Sequence, residues 1–202
     1  QGDGMVVVSG SNATTMAKQL AETMGWDHHD LETRRFPDTE GYIRIPSETI
    51  EALREEPVVL VSNTFPDSGI VETLLMLDAI QDVRAGRLQN LREIGPQTLP
   101  DVGKGVILAV PYFGYSRQDK RFKPGEAVSA RAIGHLLASR CDGIIVFDLH
   151  APSVLQDLPV PVAFTSAMPE LARHLQETVN PDFILSPDNG AIERASMVAK
   201  EI

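Results

Sequence analysis

Short apolar runs alternate along this chain with longer stretches in which apolar residues recur every three or four positions. The runs lie at 5–8, 57–62, 106–110, 143–147, 160–164 and 182–185. The longer stretches lie at 14–24, 70–83, 128–140 and 169–178. The runs have the composition of buried strands, and the stretches have the period of helices that bury one side. Their alternation predicts an α/β protein with a doubly wound, mostly parallel sheet, to which we add strands at 30–35 and 42–45.

The strand, turn and helix pattern of the N-terminus returns near the C-terminus. VVVSGSNATTMAK, which starts at Val6, and ILSPDNGAIERASMVAK, which starts at Ile184, both place Ser and Asn between an apolar run and a helix. The match indicates that a second copy of the same strand, turn and helix layout begins near Asp182. Glycines, prolines and scattered charges predict an insertion at 84–104, and 1–4 are expected to be a disordered lead-in.

Composition and charge narrow the classes of function. The 202 residues carry a formal net charge of -10, and 43% of them are hydrophobic. This apolar fraction suffices for a packed core, and the acidity argues against a nucleic-acid-binding surface. The single cysteine excludes an internal disulfide and is compatible with a reducing cytoplasm. Since no apolar run approaches membrane-spanning length, we expect a cytoplasmic protein without nucleic-acid or membrane partners.

The loop after the run at 106–110 concentrates aromatic and basic residues around Arg117, Gln118 and Asp119. Arginine can fork onto phosphate oxygens, glutamine can read a purine edge or a ribose hydroxyl, and aspartate can orient either or hold metal-bound water. Open α/β sheets bind anions at the carboxyl ends of their strands. The alternative interpretation of this loop is a solvated basic turn.

Asp148 and His150 follow the run at 143–147 and are two positions apart, so both side chains can point to one side of the strand end. A carboxylate with bound water suits Mg²⁺, and the histidine could be a ligand or a phosphate contact. The alternative is an aspartate that caps the next turn and a histidine bonded to the backbone.

Two further segments hold candidate ligand contacts. In FPDTE, Phe36 could stack on a base, while Asp38 and Glu40 could accept hydrogen bonds from an adenine amino group or ribose hydroxyls. Asp188, in SPDNG, could contact sugar hydroxyls beside a helix N-terminus that holds phosphate. The alternatives are a turn after a strand and an ordinary N-cap. The sequence lacks the motifs of P-loop NTPases, α/β-hydrolases and zincins.

Taken in order, these segments resemble the ribose-phosphate pyrophosphokinases, the PRPP synthetases. The similarity rests on FPDTE, on NTFP with the following ETLL, on PYFGYSRQDKRFKPGEAVSAR, on FDLH and on SPDNGAIERA. The five segments occur in the family's order and extend over nearly the whole chain. The resemblance implies a phosphoribosyltransferase-like, ATP-binding domain at 5–155 and the start of a second such domain at 156–202.

The resemblance implies a transferase of nucleotide biosynthesis, a ribose-phosphate diphosphokinase. With Mg²⁺, the family transfers the diphosphoryl group of ATP to O1 of ribose 5-phosphate, which gives PRPP and AMP. The implied nucleotide-binding residues are Phe36, Asp38, Glu40, Arg117, Gln118 and Asp119. His150 would be a catalytic residue and metal ligand, Asp148 a second metal ligand, and Asp188 a contact of ribose 5-phosphate. The family further implies a homo-oligomer with ATP near a subunit interface.

Departures from the family pattern qualify these expectations. Thr39 stands where the family usually has glycine, and 84–104 is longer than the expected connection. The family's flexible catalytic loop and its acidic PRPP-binding loop would lie beyond residue 202, so we expect the chain to be inactive by itself. The alternative function is a non-catalytic regulatory or assembly subunit of the PRPP-synthetase-associated kind that binds nucleotide.

Overall fold

The computed structural model describes residues 4–88 and 105–202 and confirms the α/β class. Most of the predicted lead-in and insertion, residues 1–3 and 89–104, lies outside the described residues. The described strands are β1 (Val6–Ser9), β2 (Asp27–Asp30), β3 (Glu32–Arg35), β4 (Gly41–Arg44), β5 (Val58–Val61), β6 (Val106–Val110), β7 (Gly143–Phe147) and β8 (Val162–Thr165). The described α-helices are α1 (Thr14–Met24), α2 (Ile50–Glu55), α3 (Asp67–Arg84), α4 (Ser129–Ala138), α5 (Met168–Thr178) and α6 (Ile192–Glu201). Within those two ranges, no helix has the length and apolar character needed to cross a membrane.

Six strands form one sheet in the order β2-β1-β5-β6-β7-β8. β1 runs parallel to β2 and β5, and β6 runs parallel to β5 and β7. The sheet grows in one direction from β1 to β2 and in the other from β5 onward, so the strand order reverses between β1 and β5. This arrangement is the doubly wound, mostly parallel sheet predicted from the sequence.

Both faces of the sheet are buried, which explains the continuous apolar runs in the sequence. Successive side chains of a strand point to opposite faces. Val6 and Val8 belong to the larger core cluster, to which α3 contributes Leu77, whereas Val7 belongs to a second cluster with Ala17 of α1. The helices therefore cover the sheet on both sides.

The structure corrects the predicted strand at 30–35, which is two strands separated by one residue. β2 pairs with β1 in the main sheet, whereas β3 pairs antiparallel with β4 in a separate two-stranded sheet that contacts α3. Leu31, between the two strands, is buried in the larger cluster. β2 has the sequence DHHD and lies at the sheet edge, so it carries no apolar run for a sequence pattern to detect.

The strand predicted at 182–185 is wrong, because this segment forms no strand in the structure. Its apolar side chains are in solvent: Phe183 is 83% exposed and Leu185 is 85% exposed. An extended segment of four residues is stable only where a neighbouring strand satisfies its backbone groups. The described part of the chain places no strand beside it.

The chain divides into two compact units, one up to Phe164 and one from Thr165 to Ile202. In the second unit α5 packs on α6, and the Gln176 amide donates hydrogen bonds to the carbonyl oxygens of Glu201 and Ile202 at 3.4 and 3.3 Å. Compactness alone does not identify a domain, so the boundary predicted at 155 and 156 stays a prediction.

We predict that the single cysteine is unreactive in the native chain. Cys141 is buried, its Sγ donates to the carbonyl oxygen of Leu137 at 3.4 Å, and burial raises the pKa of its thiol to about 12. The reactive thiolate is therefore scarce at about pH 8. The thiol reagent DTNB should label the native chain at least about 100-fold more slowly than the urea-unfolded chain. Equal labelling rates in the two states would contradict the prediction.

Candidate functional site

Four loops leave the carboxyl ends of the neighbouring parallel strands β1, β5, β6 and β7 and therefore start from one edge of the sheet. The loops contain Asn12, Asn63, Arg117 and Asp148. Doubly wound proteins bind ligands outside the carboxyl ends of their strands, where the strand order reverses. This edge is the candidate functional site.

Reciprocal amide hydrogen bonds join the loops after β1 and β5. Asn12 Nδ2 donates to the carbonyl oxygen of Asn63 at 2.9 Å, and Asn63 Nδ2 donates to the carbonyl oxygen of Asn12 at 2.9 Å. The backbone N–H of Asn63 also donates to Asn12 Oδ1 at 3.0 Å. These bonds satisfy backbone groups that the strand ladders no longer pair.

The loop after β6 is fastened at its root to the loop after β5. The backbone N–H of Tyr112 donates to Asn63 Oδ1 at 2.9 Å, and that of Gly114 donates to Thr64 Oγ1 at 2.8 Å. The backbone N–H of Thr64 donates to the Tyr112 carbonyl oxygen at 3.1 Å. Gly114 allows this approach because a Cβ there would lie 2.1 Å from the Thr64 carbonyl oxygen.

Beyond this root, Arg117 is exposed and lines a cleft of about 410 Å³. The other lining residues are Phe65, Asp67, Tyr112, Tyr115 and Ser116. The carbonyl oxygen of Gln118 accepts from the backbone N–H of Ala130 at 3.2 Å, which joins the loop to α4, and the Gln118 side-chain amide donates to the Lys120 carbonyl oxygen at 3.3 Å. Asp119 is half-buried.

The basic segment that follows is folded around one carboxylate. Glu126 Oε2 accepts from the backbone N–H groups of Phe122 and Lys123 at 2.8 and 3.1 Å. The Glu126 carbonyl oxygen accepts from Arg121 Nε at 2.9 Å. This basic segment is therefore an ordered turn, and the side chain of its acidic residue accepts from backbone donors.

The predicted adenine contacts lie in the tight turn that joins β3 to β4. Phe36 N–H donates to the Glu40 carbonyl oxygen at 2.9 Å, and Glu40 N–H donates to Asp38 Oδ1 at 3.1 Å. The Arg34 guanidinium lies 4.8 Å from the ring centroid of Phe36 and 3.9 Å from that of Tyr42. The turn presents two carboxylates and one aromatic ring, and the ring is braced by a cation on one side.

Thr39 adopts a left-handed backbone conformation with φ of 77°. Glycine reaches this conformation freely, whereas a β-branched residue is strained there. The turn still closes, since Thr39 N–H donates to the Phe36 carbonyl oxygen at 2.9 Å and Arg35 Nη1 donates to the Thr39 carbonyl oxygen at 2.9 Å. Thr39 therefore adopts the left-handed conformation that a glycine could adopt at this position without strain.

Asp148 and His150 lie just past β7. Asp148 is half-buried with a left-handed φ of 44°, and His150 is exposed. Among residues 4–88 and 105–202, no group of three or more His, Cys, Asp or Glu side chains could hold a metal ion. Mg²⁺ commonly keeps several waters and binds one or two carboxylates together with substrate phosphates. One carboxylate and one histidine fit an ion that is shared with a phosphate ligand.

Asp188, in the second unit, caps a short 3-10 helix at Asn189–Ala191. Its Oδ1 accepts from the backbone N–H of Ala191 at 2.9 Å, and its side chain is exposed. The structure therefore shows the N-cap that the sequence offered as an alternative. A contact with a sugar stays a prediction.

Two of the predicted nucleotide contacts, Glu40 and Arg117, line separate clefts. Glu40 lines a cleft with Ser68 and Val71, between the β3–β4 turn and α3. Arg117 lines the other cleft with Asp67. Because Asp67 and Ser68 are adjacent in the first turn of α3, this helix start separates the two clefts.

The residues that join the loops were not predicted from the sequence. Besides the two asparagines, Glu72 of α3 joins the loop after β1. The backbone N–H of Ser11 donates to Glu72 Oε1, and the Ser11 hydroxyl donates to Glu72 Oε2, each at 2.7 Å. The positions of the two asparagines could have indicated such a role, since Asn12 and Asn63 each lie within three residues of a strand end. The pairing itself spans about fifty positions of sequence and requires the strand order.

Comparisons with known proteins point to one family. Residues 5–90 match the family model described as the N-terminal domain of ribose phosphate pyrophosphokinase. The ribose-phosphate pyrophosphokinase of Saccharolobus solfataricus is 32% identical over 98% of this chain and 62% of its own length. That of Methanopyrus kandleri is 35% identical over 96% of this chain and 60% of its own length. The chain thus spans about three fifths of the length of these curated relatives.

A solved structure supports the fold. The crystal structure of phosphoribosylpyrophosphate synthetase from Mycobacterium smegmatis matches 98% of this chain and 60% of that chain with a TM-score of 0.74. Its sequence identity is 22%, so this similarity concerns the architecture alone. The parallel sheet with its flanking helices is the shared feature.

We predict that Thr39→Gly stabilises the chain. Left-handed strain of about 1–2 kcal/mol exceeds the entropic cost of glycine, about 0.5–1 kcal/mol, so the free energy of unfolding should rise by up to about 1 kcal/mol. Urea denaturation measures this change. Thr33→Gly, in the extended strand β3, is the matched control and should destabilise the chain. A loss of stability in Thr39→Gly equal to that of the control would refute the strain argument.

Gly114→Ala should destabilise the chain, because its Cβ would lie 2.1 Å from the Thr64 carbonyl oxygen and the backbone would have to move. We expect a loss of about 1–3 kcal/mol in the free energy of unfolding. The matched control is Gly41→Ala, whose Cβ would meet its nearest atom at 3.7 Å. Urea denaturation should show little change in the control, and a similar result for both variants would contradict the prediction.

Proposed function

We propose that the chain is part of a ribose-phosphate diphosphokinase, because its N-terminal part matches the family model and nearly all of it is similar to ribose-phosphate pyrophosphokinases. Such an enzyme transfers the β,γ-diphosphoryl group of ATP to O1 of ribose 5-phosphate. One observation carries the proposal: the loop with Arg117 is tied to the carboxyl edge of the sheet, beside the strand that ends before Asp148. A phosphate-binding cation and an Mg²⁺-binding carboxylate thereby belong to neighbouring loops.

In the proposed reaction, the anomeric hydroxyl oxygen of ribose 5-phosphate bonds to the β-phosphorus of ATP. The bond from that phosphorus to the oxygen shared with the α-phosphorus breaks, and AMP leaves with the electron pair while the hydroxyl proton is released. Both reactants are anions that repel each other. Alignment and neutralisation of charge therefore supply most of the catalysis.

Arg117 is the proposed phosphate contact. It forms no ion pair among the described residues, so its guanidinium is available to fork onto phosphate oxygens. Gln118 and Asp119 would contact the nucleotide next to it. The Gln118 amide is exposed where it donates to the Lys120 carbonyl oxygen, and a ligand can replace that bond.

Asp148 and His150 would hold Mg²⁺, which when bound neutralises phosphate charge and orients the group that is transferred. Asp148 offers a carboxylate, the oxygen ligand that Mg²⁺ prefers. His150 is exposed at the same strand end and would meet the phosphates with its imidazole.

Phe36, Asp38 and Glu40 would bind the adenine or ribose of ATP, and we propose that they do so across a subunit interface. Phe36 is 39% exposed, which leaves surface for a base. Glu40 and Arg117 line separate clefts of one chain. A homo-oligomer in which one copy presents this turn to the Arg117 loop of another copy would complete the site.

Asp188 would contact ribose 5-phosphate. Its Oδ1 caps the short helix, which leaves Oδ2 for a sugar hydroxyl.

The relatives compared above are named for the enzyme, and no observation favours a regulatory or assembly subunit. The activity test is PRPP formation from ribose 5-phosphate and Mg²⁺-ATP by the longest polypeptide that contains this sequence, and failure to form PRPP would overturn the proposed reaction.

Arg117→Ala tests the ATP site in the chain itself. Hydrogen bonds to charged groups contribute about 1.5–3 kcal/mol, so Mg²⁺-ATP should bind about 10-fold or more weakly by calorimetry. The matched control is Arg54→Ala, which removes an exposed arginine of α2 that precedes β5 and so lies toward the opposite edge of the sheet. If neither Arg117→Ala nor the control changes the affinity for Mg²⁺-ATP, the assignment of Arg117 to the ATP site is wrong.

A further inference from the structure

One side-chain hydrogen bond crosses the cleft around Arg117. The Tyr115 hydroxyl donates to Asp67 Oδ1 at 2.6 Å and so links residues that are 48 positions apart. Asp67 begins α3, a helix of 18 residues that packs against the sheet. The bond therefore joins the outer part of the loop after β6 to a fixed element of the fold.

The outer part of this loop has few other attachments. Its root is fastened by the bonds at Tyr112 and Gly114, and its far end by the bond from Ala130 to the Gln118 carbonyl oxygen. Between these points lie Tyr115, Ser116 and Arg117. Among the described residues, the only side-chain hydrogen bond from this stretch to another element is the one from Tyr115 to Asp67.

The backbone at Tyr115 is strained. Tyr115 has a left-handed φ of 64°, which is uncommon for a bulky residue and persists where the surroundings hold it. Its carbonyl oxygen accepts from the backbone N–H of Gln118 at 3.1 Å, so the strained residue starts the turn that presents Arg117. Release of the Tyr115 side chain would free this turn to rearrange.

The hydrogen bond between the Tyr115 hydroxyl and Asp67 is of a strong type. A phenol that donates to a carboxylate forms a short, charge-assisted hydrogen bond. The bond to Asp67 also raises the pKa of the Tyr115 phenol above its ordinary value, so the hydroxyl remains a donor throughout the neutral range. Because the carboxylate accepts from a neutral donor, it is held without an ion pair to Arg117.

We propose that Tyr115 and Asp67 are positioning residues for Arg117, and that their hydrogen bond sets the affinity of the cleft for the phosphates of a nucleotide. The inference rests on the proposed function, in which Arg117 binds ATP. Both side chains are exposed, and exposed bonds contribute little to stability. Loss of the bond should therefore change ligand affinity while the stability of the fold stays nearly the same.

Tyr115→Phe in the full chain is the direct test. The substitution keeps the ring in the cleft and removes only the hydroxyl. Calorimetry should show Mg²⁺-ATP binding about 3- to 10-fold more weakly than to the unsubstituted chain, with an unchanged midpoint of urea denaturation. Unchanged ATP affinity would overturn the inference.

A double-mutant cycle separates positioning from other effects. Asp67→Ala should weaken Mg²⁺-ATP binding by a similar factor, and Tyr115→Phe combined with it should add almost nothing, because one bond is lost in each case. Asp67→Asn keeps an acceptor oxygen for the Tyr115 hydroxyl and should retain most of the affinity. Additive losses in the double variant, or a loss in Asp67→Asn as large as in Asp67→Ala, would overturn positioning through this bond.

The outcome for Arg117→Ala distinguishes the two proposals. If Arg117→Ala weakens Mg²⁺-ATP binding and Tyr115→Phe does not, the ATP site stands and the positioning role is wrong. If Arg117→Ala leaves the affinity unchanged, the ATP assignment fails and the inference built on it fails as well.

Discussion

The reciprocal hydrogen bonds between Asn12 and Asn63 hold together the edge of the sheet on which the candidate site is built. α1 follows β1, and α3 follows β5. Because the two helices cover opposite faces of the sheet, the loops that lead to them diverge. Divergence leaves backbone groups without ladder partners, and the asparagine amides satisfy them. Asn63 also accepts from the Tyr112 backbone, so the loop that carries Arg117 takes its position from the same pair.

Backbone strain is concentrated in the loops that carry the predicted contacts. Of the described residues other than glycine, four have a left-handed φ, and Thr39, Tyr115 and Asp148 are three of them. Each lies within or beside a predicted nucleotide or metal contact. Strained conformations persist only where surrounding bonds impose them, and they cluster at functional sites. The turn bonds at Thr39 and the Asp67 bond of Tyr115 are such surroundings.

The sequence predicted the parts of the molecule whose signals are local. The buried strand at Val106–Val110 and the helix at Thr14–Met24 have the predicted bounds, because burial on two faces and burial on one side leave distinct periods. The DHHD strand escaped detection because an edge strand needs no apolar run. The false strand at 182–185 had apolar residues but no neighbour to pair with. The Asn12–Asn63 and Tyr115–Asp67 bonds join distant positions, so they could be seen only after the strands had been ordered.

A net charge of -10 disfavours the binding of a polyanion such as the proposed ATP, and the loop after β6 limits this effect locally. Two carboxylates near its basic residues accept from uncharged donors, Asp67 from a phenol and Glu126 from two backbone N–H groups. Had these carboxylates paired with the guanidinium and ammonium groups, a phosphate would have had to displace them. In the described part of the chain, Arg117 forms no ion pair. Charges elsewhere on the surface are screened within about 10 Å, so the local field at Arg117 depends on the groups in its own loop more than on the net charge.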